Sequence, residues 1–488
     1  MSIVTPHSLE ALMQEIQSLY LQTKRPWVVA FSGGKDSTTV LQLVWKAIAQ
    51  LPPEQRLSPV FIIAGDTRVE DPAMSIRMKR SIERINEAAH RHGFPFSAHI
   101  VYPAPEEGYW CLLLGKGYPA PTSRFRWCTA KLKVKPSNAF ILARVAQFGE
   151  VVLVLGVREQ ESMSRAQTMA TYQVLGQLLR RHRTLHNASV YAPIAHWSAS
   201  DVWTYLLSVA SPWGDDNRNL RAIYQHSDGE CPLVIDHSTP SCGNSRFGCW
   251  TCTVVSKNTS LETRYELDEQ EAWLLPLIEY RNLLKSTREP GQKMLFCEIE
   301  GKKDNRVNLT LKGNAIATRL YTLPTRQMLL RRLLEAQEQA RKLGPEPELD
   351  LITAEELRLI SRIHRFEEGD WGNTVARIYR DVTGRDDIEW QVDDIGSPDD
   401  EDLETLLREG CDAEGVPLKL VKQLFQVCWS GQGMNHRATV LPRIEALFKK
   451  DWRPLEEKIA AAYAQGSGRE SGDVPLEEAP LGQLALFD

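Results

Sequence analysis

The sequence predicts an α/β fold, a doubly wound parallel sheet, followed by a mostly α-helical C-terminal domain. Three observations carry this. Four short runs of strand character (Trp27 to Phe31, Val60 to Ala64, Ser97 to Tyr102 and Val151 to Val157) alternate with stretches of helical apolar spacing. The first run ends in a Gly-Gly turn that opens directly into a helical stretch. From Leu261 onward the patterns are mostly helical. A chain of 488 residues has room for about two to four domains. The expected division is 1–257, 258–464 and a tail from 465 to 488.

Leu9, Leu12, Met13, Ile16, Leu19 and Tyr20 form an apolar stripe at helical spacing, with Ser8 as candidate N-cap. Trp27 to Phe31 reads as a buried strand. Thr38 to Gln50 reads as a helix through Val40, Leu41, Val44, Ala47 and Ile48. Between them lies Ser32-Gly33-Gly34-Lys35-Asp36-Ser37. The two glycines let the backbone turn sharply and approach a ligand closely. Free amides at the helix start point at an anion, with the helix dipole behind them. Lys35 adds a full positive charge, and Ser32 and Ser37 add hydroxyl donors. The pattern is not Walker A, because the glycines are adjacent and aspartate follows the lysine.

After a loop over 51–58, Val60 to Ala64 is the second strand, ending at Gly65-Asp66-Thr67. Ligands of open parallel sheets bind beyond the carboxyl ends of the strands. Asp66 is thus placed to meet a ribose or adenine; a plain turn aspartate is the alternative. Glu70 to His92 reads as helix and Ser97 to Tyr102 as the third strand. Pro103 to Trp127 reads as a long, functional loop, in which Arg124 and Arg126 can clamp phosphate oxygens. Thr129 to Phe148 reads as helical after Pro136, and Val151 to Val157 as the fourth strand. Arg158 and Arg165 follow it, two cations in the ligand crevice or, alternatively, a surface salt-bridge pair.

Hydrophobic content of 42% and charged content of 25% are ordinary for a soluble protein. No apolar run reaches the roughly eighteen residues of a membrane span. The first residues lack a signal-peptide pattern, which points to a cytoplasmic protein. A net charge of −5 does not advertise nucleic-acid binding, though a local basic face is compatible with it. Nine cysteines, an odd number, argue against a disulfide framework. Cys231, Cys242, Cys249 and Cys252 cluster with a C-x-x-C at the end, which reads as metal or redox chemistry. Four-cysteine zinc and an iron–sulfur cluster both fit this spacing.

The SGGKDS stretch resembles the PP-loop of ATP pyrophosphatases, which cleave ATP between its α and β phosphates. Further motifs follow in order: the arginine–cysteine segment with Cys128 and KLKVKP, then GVRxxES with Arg165, then PIxxW and DVWxYL. Together they resemble the phosphoadenosine phosphosulfate reductase family, a PP-loop branch, over about residues 25 to 255. The resemblance implies that Ser32, Gly33, Gly34, Lys35, Asp36 and Ser37 hold ATP phosphates with Mg²⁺. It implies that Arg158 and Arg165 bind phosphate or sulfate-like groups. It also favours a 4Fe–4S cluster, for which Cys231, Cys242, Cys249 and Cys252 are the chosen ligands. Cys128 is then an exchanging ligand or a sulfur-carrying thiol. Arg124, Arg126 and Lys131 are expected to favour its thiolate.

The KLKVKP and RFGCWTC segments and the long C-terminal half resemble the sulfurtransferases of bacterial DNA phosphorothioation. This implies activation of a DNA phosphate by adenylylation and replacement of a non-bridging oxygen by sulfur. DNA, a cysteine desulfurase as sulfur donor and other subunits of the phosphorothioation complex are the implied partners. The alternatives are a phosphoadenosine phosphosulfate or adenylylsulfate reductase, a tRNA-thiolating PP-loop enzyme and a non-enzymatic adaptor.

In the second half, Leu295 to Glu300 and Arg306 to Leu311 read as a hairpin. Residues 314–343, 353–366, 401–409 and 436–463 read as helices, and Asp393 to Glu404 as an acidic, solvated loop. The domain is a docking surface for partners or a plain structural extension. Arg326, Arg331, Arg332 and Arg341 read as a solvated helix face, with nucleic-acid contact as the alternative. Residues 465–480 read as disordered. The QLALF that follows resembles the peptide that binds the bacterial sliding clamp; docking on the protein's own surface is the other reading.

Overall fold

The computed structural model describes residues 5–161, 178–182, 185–225, 248–289, 292–299, 311–312, 315–316, 318–390, 401–430, 440–450, 452–453 and 457. Arg165, Cys231, Cys242, the acidic stretch 391–400 and the C-terminal tail lie outside the described residues. The chain forms two compact units. One comprises residues 1–109 with 121–281, the other 110–120 with 282–488.

The first unit is built on a six-stranded sheet in the order β3-β2-β1-β4-β6-β5. Strand β1 (Trp27–Ala30) pairs in parallel with β2 (Val60–Gly65) on one side and β4 (Val151–Val154) on the other. β3 (Phe96–Val101) extends the sheet beyond β2, and β6 (Ala188–Tyr191) beyond β4, both in parallel. β5 (Arg180–Arg181) pairs antiparallel at the edge. The sequence gives no clear signal for these last two strands: two arginines and a four-residue ASVY are too short to show a period.

Both faces of β1 are apolar, which is what a sheet covered on both sides requires. Trp27, Val29 and Phe31 join a core with Ile16, Leu19 and Tyr20 of α1 (Pro6–Thr23) and with Val40, Leu41, Val44 and Ile48 of α2 (Lys35–Ala49). Val202, Tyr205 and Leu206 of a helix over Ala199–Ser208 complete that side. Val28 and Ala30 face the opposite core, with Ile63, Val151, Leu153 and Ile141. Each such aliphatic side chain, once buried, contributes about 1.5–3 kcal/mol. The cap of α1 is Thr5, not Ser8. Ser8 is the return half of a capping box, its Oγ accepting from Thr5 N at 2.9 Å.

The expected loop over 103–127 is only partly a loop. Cys111–Gly115 form a buried helical turn, because Trp110-Cys111-Leu112-Leu113-Leu114 is an unbroken apolar run that water excludes. The run belongs to the second unit, where Trp110 Nε1 donates to Leu351 O at 2.6 Å.

Most of the second strand of the hairpin expected in the second unit, 306–310, lies outside the described residues. Cys297–Ile299 pairs antiparallel with Thr318–Tyr321, and Leu311–Lys312 pairs with Ala315–Ile316. The helix expected from 314 therefore starts at Leu323. Thr322 is its N-cap and Pro324 lies in its first turn, where proline costs no hydrogen bond. Helices Ala354–Glu368, Thr374–Thr383, Glu401–Glu414, Leu418–Ser430 and Val440–Phe448 follow. The arginines on the Leu323–Leu343 helix are only partly a solvated face, with Arg332 exposed, Arg331 partly so and Arg341 largely covered. Arg326 is buried, and Arg331, Arg332 and Arg341 pair with Asp381, Glu335 and Glu338. No helix among the described residues is long and apolar enough to cross a membrane.

Candidate functional site

The order β3-β2-β1-β4-β6 makes the gap between β1 and β4 the topological switch point, where such sheets open a crevice at their carboxyl edge. Ser32 to Ser37 follow β1 there, and Gly156 to Arg158 follow β4. Gly33 takes φ 72°, a left-handed conformation that glycine adopts without strain. Gly34 is the N-cap of α2 and offers no side chain to its amides. The hydroxyls brace the turn internally. Ser37 Oγ accepts from Ser32 N at 3.2 Å and donates to Gly34 O at 3.1 Å.

Lys35 is 1% exposed, and its Nζ meets Asp36 Oδ2 at 2.9 Å. Arg158, 2% exposed, donates through Nε to Asp36 Oδ1 at 2.6 Å. One carboxylate thus gathers two buried cations from the ends of two adjacent strands, leaving a net positive trio beside the helix start. Gly156 makes this approach possible. A Cβ there would lie 2.8 Å from Asp36 C and 2.9 Å from Ser37 N, both backbone atoms. Its role has no sequence signal beyond the glycine itself, because the contact is made across 120 residues of chain.

At the carboxyl end of β2, Asp66 is 2% exposed. Its Oδ1 accepts from Arg68 N at 2.8 Å, and its Oδ2 lies 3.9 Å from Lys79 Nζ. It closes its own turn as well as standing at the strand end. The same turn receives the described part of the cysteine segment. Asp71 N donates to Gly248 O at 3.3 Å and Trp250 N to Val69 O at 3.0 Å. Cys249 Sγ sits 3.6 Å from Thr67 Oγ1 and 3.8 Å from Glu70 Oε1. Glu70 also accepts from Thr67 at 2.9 Å and meets Lys133 Nζ at 3.3 Å. Glu70 therefore joins the KLKVKP stretch to Cys249. Sequence inspection treats it only as a helix start, since its partners are 63 and 179 residues away.

Comparison with known proteins agrees with this geometry. Residues 26–255 match the phosphoadenosine phosphosulfate reductase domain. Over these residues the chain is similar to that reductase domain. An uncharacterized protein of Methanocaldococcus jannaschii is 24% identical over 266 residues, 54% of this chain. The match spans 44% of that relative's own length. Among solved structures, Candida glabrata FMN adenylyltransferase is similar at 12% identity, covering 41% of this chain and 56% of that one, with a TM-score of 0.25. The U34-tRNA thiolase NcsA of Methanococcus maripaludis, with its 4Fe–4S cluster, is similar at 10% identity over 57% and 82%, with a TM-score of 0.24. At these scores neither structure bears on the site.

In the reductase-like domain Cys128 is half-buried at the start of a helical turn over Thr129–Val134. Lys131, expected beside the thiol, has its Nζ on Glu107 Oε1 at 2.7 Å. Hydrogen bonds from Lys131 and Lys135 hold the Glu107 carboxyl below the usual carboxylate range. Arg126 Nε donates to Ser123 O at 3.2 Å, inside its own tight turn.

Cys249 and Cys252 are half-buried in a turn closed by Cys252 N donating to Cys249 O at 3.0 Å. Arg281 fixes that turn from behind. Its guanidinium donates to Cys252 O at 2.8 Å, to Ser256 O at 3.1 Å and to Val255 O. Burial lowers its pKa. Two soft thiols in a braced C-x-x-C turn fit part of a cysteine-ligated zinc or iron–sulfur centre. Among the described residues no three Cys, His, Asp or Glu side chains converge on one metal position.

Proposed function

We propose that the protein is an ATP-dependent sulfurtransferase of DNA phosphorothioation, of the DndC type. The observation that carries this is the placement of two chemistries at one edge of one sheet. The phosphate loop follows β1, and the Cys249 turn docks on the loop after its parallel neighbour β2. Activation and sulfur delivery can then serve one substrate. The match of residues 26–255 to the reductase domain supports the nucleotide half of the proposal.

In this mechanism a non-bridging oxygen of the DNA phosphodiester attacks the α-phosphorus of ATP, and pyrophosphate leaves. The amides of the α2 start and Lys35 take up the charge of the departing β and γ phosphates. Mg²⁺, held by those phosphates and by polar groups of Ser32 to Ser37, would neutralise the same charge. Asp36 keeps Lys35 and Arg158 side by side, so no reorganisation is needed when charge develops. A persulfide sulfur, brought from a cysteine desulfurase to Cys128, then attacks the DNA phosphorus and expels AMP. A second thiol opens the remaining S–S bond, which leaves sulfur on phosphorus and a disulfide on the thiols. Arg158 and Arg165 would face the added negative charge. Cys249 and Cys252, with Cys231 and Cys242, would hold a 4Fe–4S centre, which supplies an inorganic site for sulfur. The remaining subunits of such a complex, and a sliding clamp at the tail, would bring the DNA that this acidic chain does not attract by charge.

A second reading, a phosphoadenosine phosphosulfate or adenylylsulfate reductase, is favoured by the description of the matching family. It reduces a bound nucleotide and does not turn ATP into AMP. Anaerobic purification with iron and sulfide assays, followed by pyrophosphate release from ATP with and without DNA, separates the two. DNA-stimulated release of pyrophosphate is the expected result. Sulfite release from an adenylylated sulfate, with no ATP turnover, would establish the reductase instead.

A further inference from the structure

The amide of Lys35 belongs to the first turn of α2, where no intrahelical partner exists for it. It is not idle in this structure. It donates to the hydroxyl of Tyr224 at 3.2 Å. Tyr224 belongs to a helix over Asn217–Gln225 and is 8% exposed. Its hydroxyl lies 3.0 Å from where a Gly34 Cβ would stand, and Lys35 Nζ lies 5.5 Å from its ring centroid. A neutral phenol oxygen thus occupies the donor that a phosphate oxygen would take.

The ring is held from elsewhere. Trp203 packs edge-on against it at 5.2 Å. At the other end of the Tyr224 helix, Asn217 accepts from Gln42 at 3.0 Å and donates to Leu206 O at 2.9 Å and Val209 O at 3.0 Å. The Tyr224 helix is therefore anchored to α2 and to the end of the Ala199–Ser208 helix as well as to the loop that the phenol covers. An incoming anion must displace the hydroxyl. It can, because a hydrogen bond to an ionised oxygen is stronger than one to a neutral one.

We propose that Tyr224 sets the phosphate affinity and selectivity of the loop, capping the Lys35 amide until a β or γ phosphate oxygen replaces its hydroxyl. This rests on the loop being an ATP phosphate site. The hydroxyl competes with the terminal phosphates only, so a ligand without them does not meet it.

The test is calorimetric titration of the full-length protein and of Tyr224→Phe with Mg-ATP, Mg-pyrophosphate and AMP. Loss of one competing hydrogen bond is expected to tighten ATP and pyrophosphate by about fivefold, with AMP unchanged. A purely structural role would move all three ligands together. Unchanged or weaker pyrophosphate binding by Tyr224→Phe overturns the inference while the loop assignment stands. Failure of the unaltered protein to bind ATP or pyrophosphate overturns both. A second measurement does not depend on that variant. Mg-ATP should shift tryptophan emission in the unaltered protein, and the shift should vanish in Trp203→Phe. A shift that persists in Trp203→Phe, or no shift at all despite ATP binding, counts against displacement.

Discussion

Two buried cation clusters, one in each unit, show how alike side chains are put to different use. In the first unit Lys35 and Arg158 converge on Asp36 at a helix start, beside amides that have no intrahelical partner. In the second unit Arg326 is also 1% exposed. Its guanidinium donates to Tyr321 O at 3.0 Å, Gly115 O at 2.7 Å and Glu368 Oε1 at 2.7 Å. It ties the 110–120 segment to the Leu323–Leu343 helix. One cluster gathers positive charge on a carboxylate at a helix start, where the proposed function needs it; the other uses its charge to satisfy backbone carbonyls. Burial and charge alone do not separate a binding site from a structural bolt. What separates them is what the cation's hydrogens face.

The contrast can be broken most sharply at Lys35. Lys35→Ala should lower ATP-dependent pyrophosphate release by about a thousandfold, the scale of one lost transition-state donor, at temperatures where the variant remains folded. Arg326→Met should do the opposite. It leaves carbonyls and Glu368 without their donor, so unfolding of the second unit should become easier by on the order of 3 kcal/mol. ATP binding, measured below the melting range, should persist. Loss of ATP binding in Arg326→Met would erase the distinction between the clusters.

Gly156→Ala falls between these. The new methyl meets backbone at Asp36 and Ser37, which cannot swing aside as a side chain would. It should cost about 1–3 kcal/mol of stability and displace the α2 start. ATP affinity should therefore fall even in a folded variant, as titration at low temperature would show.

The smallest effect concerns His364, fully buried, its Nε2 donating to Leu114 O at 2.7 Å. Burial pushes its pKa down to about 4, against about 6.5 in the unfolded chain. The unfolded state therefore binds the proton first. The neutral ring's contribution is complete above about pH 6.5 and is lost as pH falls toward 4. Denaturant melts of the second unit at pH 7 and pH 5 should show this loss, and His364→Gln should flatten it. An equal pH slope in His364→Gln would assign the loss to other groups.

Much of the local structure of the first unit was legible in the sequence. A Gly-Gly turn between an apolar run and a helical period predicts the strand–turn–helix that the structure shows over Trp27–Ala49. Asp66, Cys249 and Cys252 are likewise found where strand ends and spacing put them. The ion pair of Lys131 with Glu107 was not legible, because the residues around Cys128 say nothing about the acidic partner that this side chain reaches. The apolar segment after Tyr109 misled for a related reason. Its flanking prolines and glycines suggest a loop, while its leucines are claimed by a core formed hundreds of residues later.

What the sequence by itself determined is everything whose cause is local: the strand–turn–helix around Gly33 and Gly34, the alternation of elements, and the C-x-x-C turn. Tertiary structure decided which distant groups share an edge. It brought Gly156 against Asp36, Glu70 between Lys133 and Cys249, and Tyr224 onto the Lys35 amide. Those meetings depend on strand order and on which helix covers which face. Such choices arise from the summed burial of the whole core, and no short window of residues contains that sum.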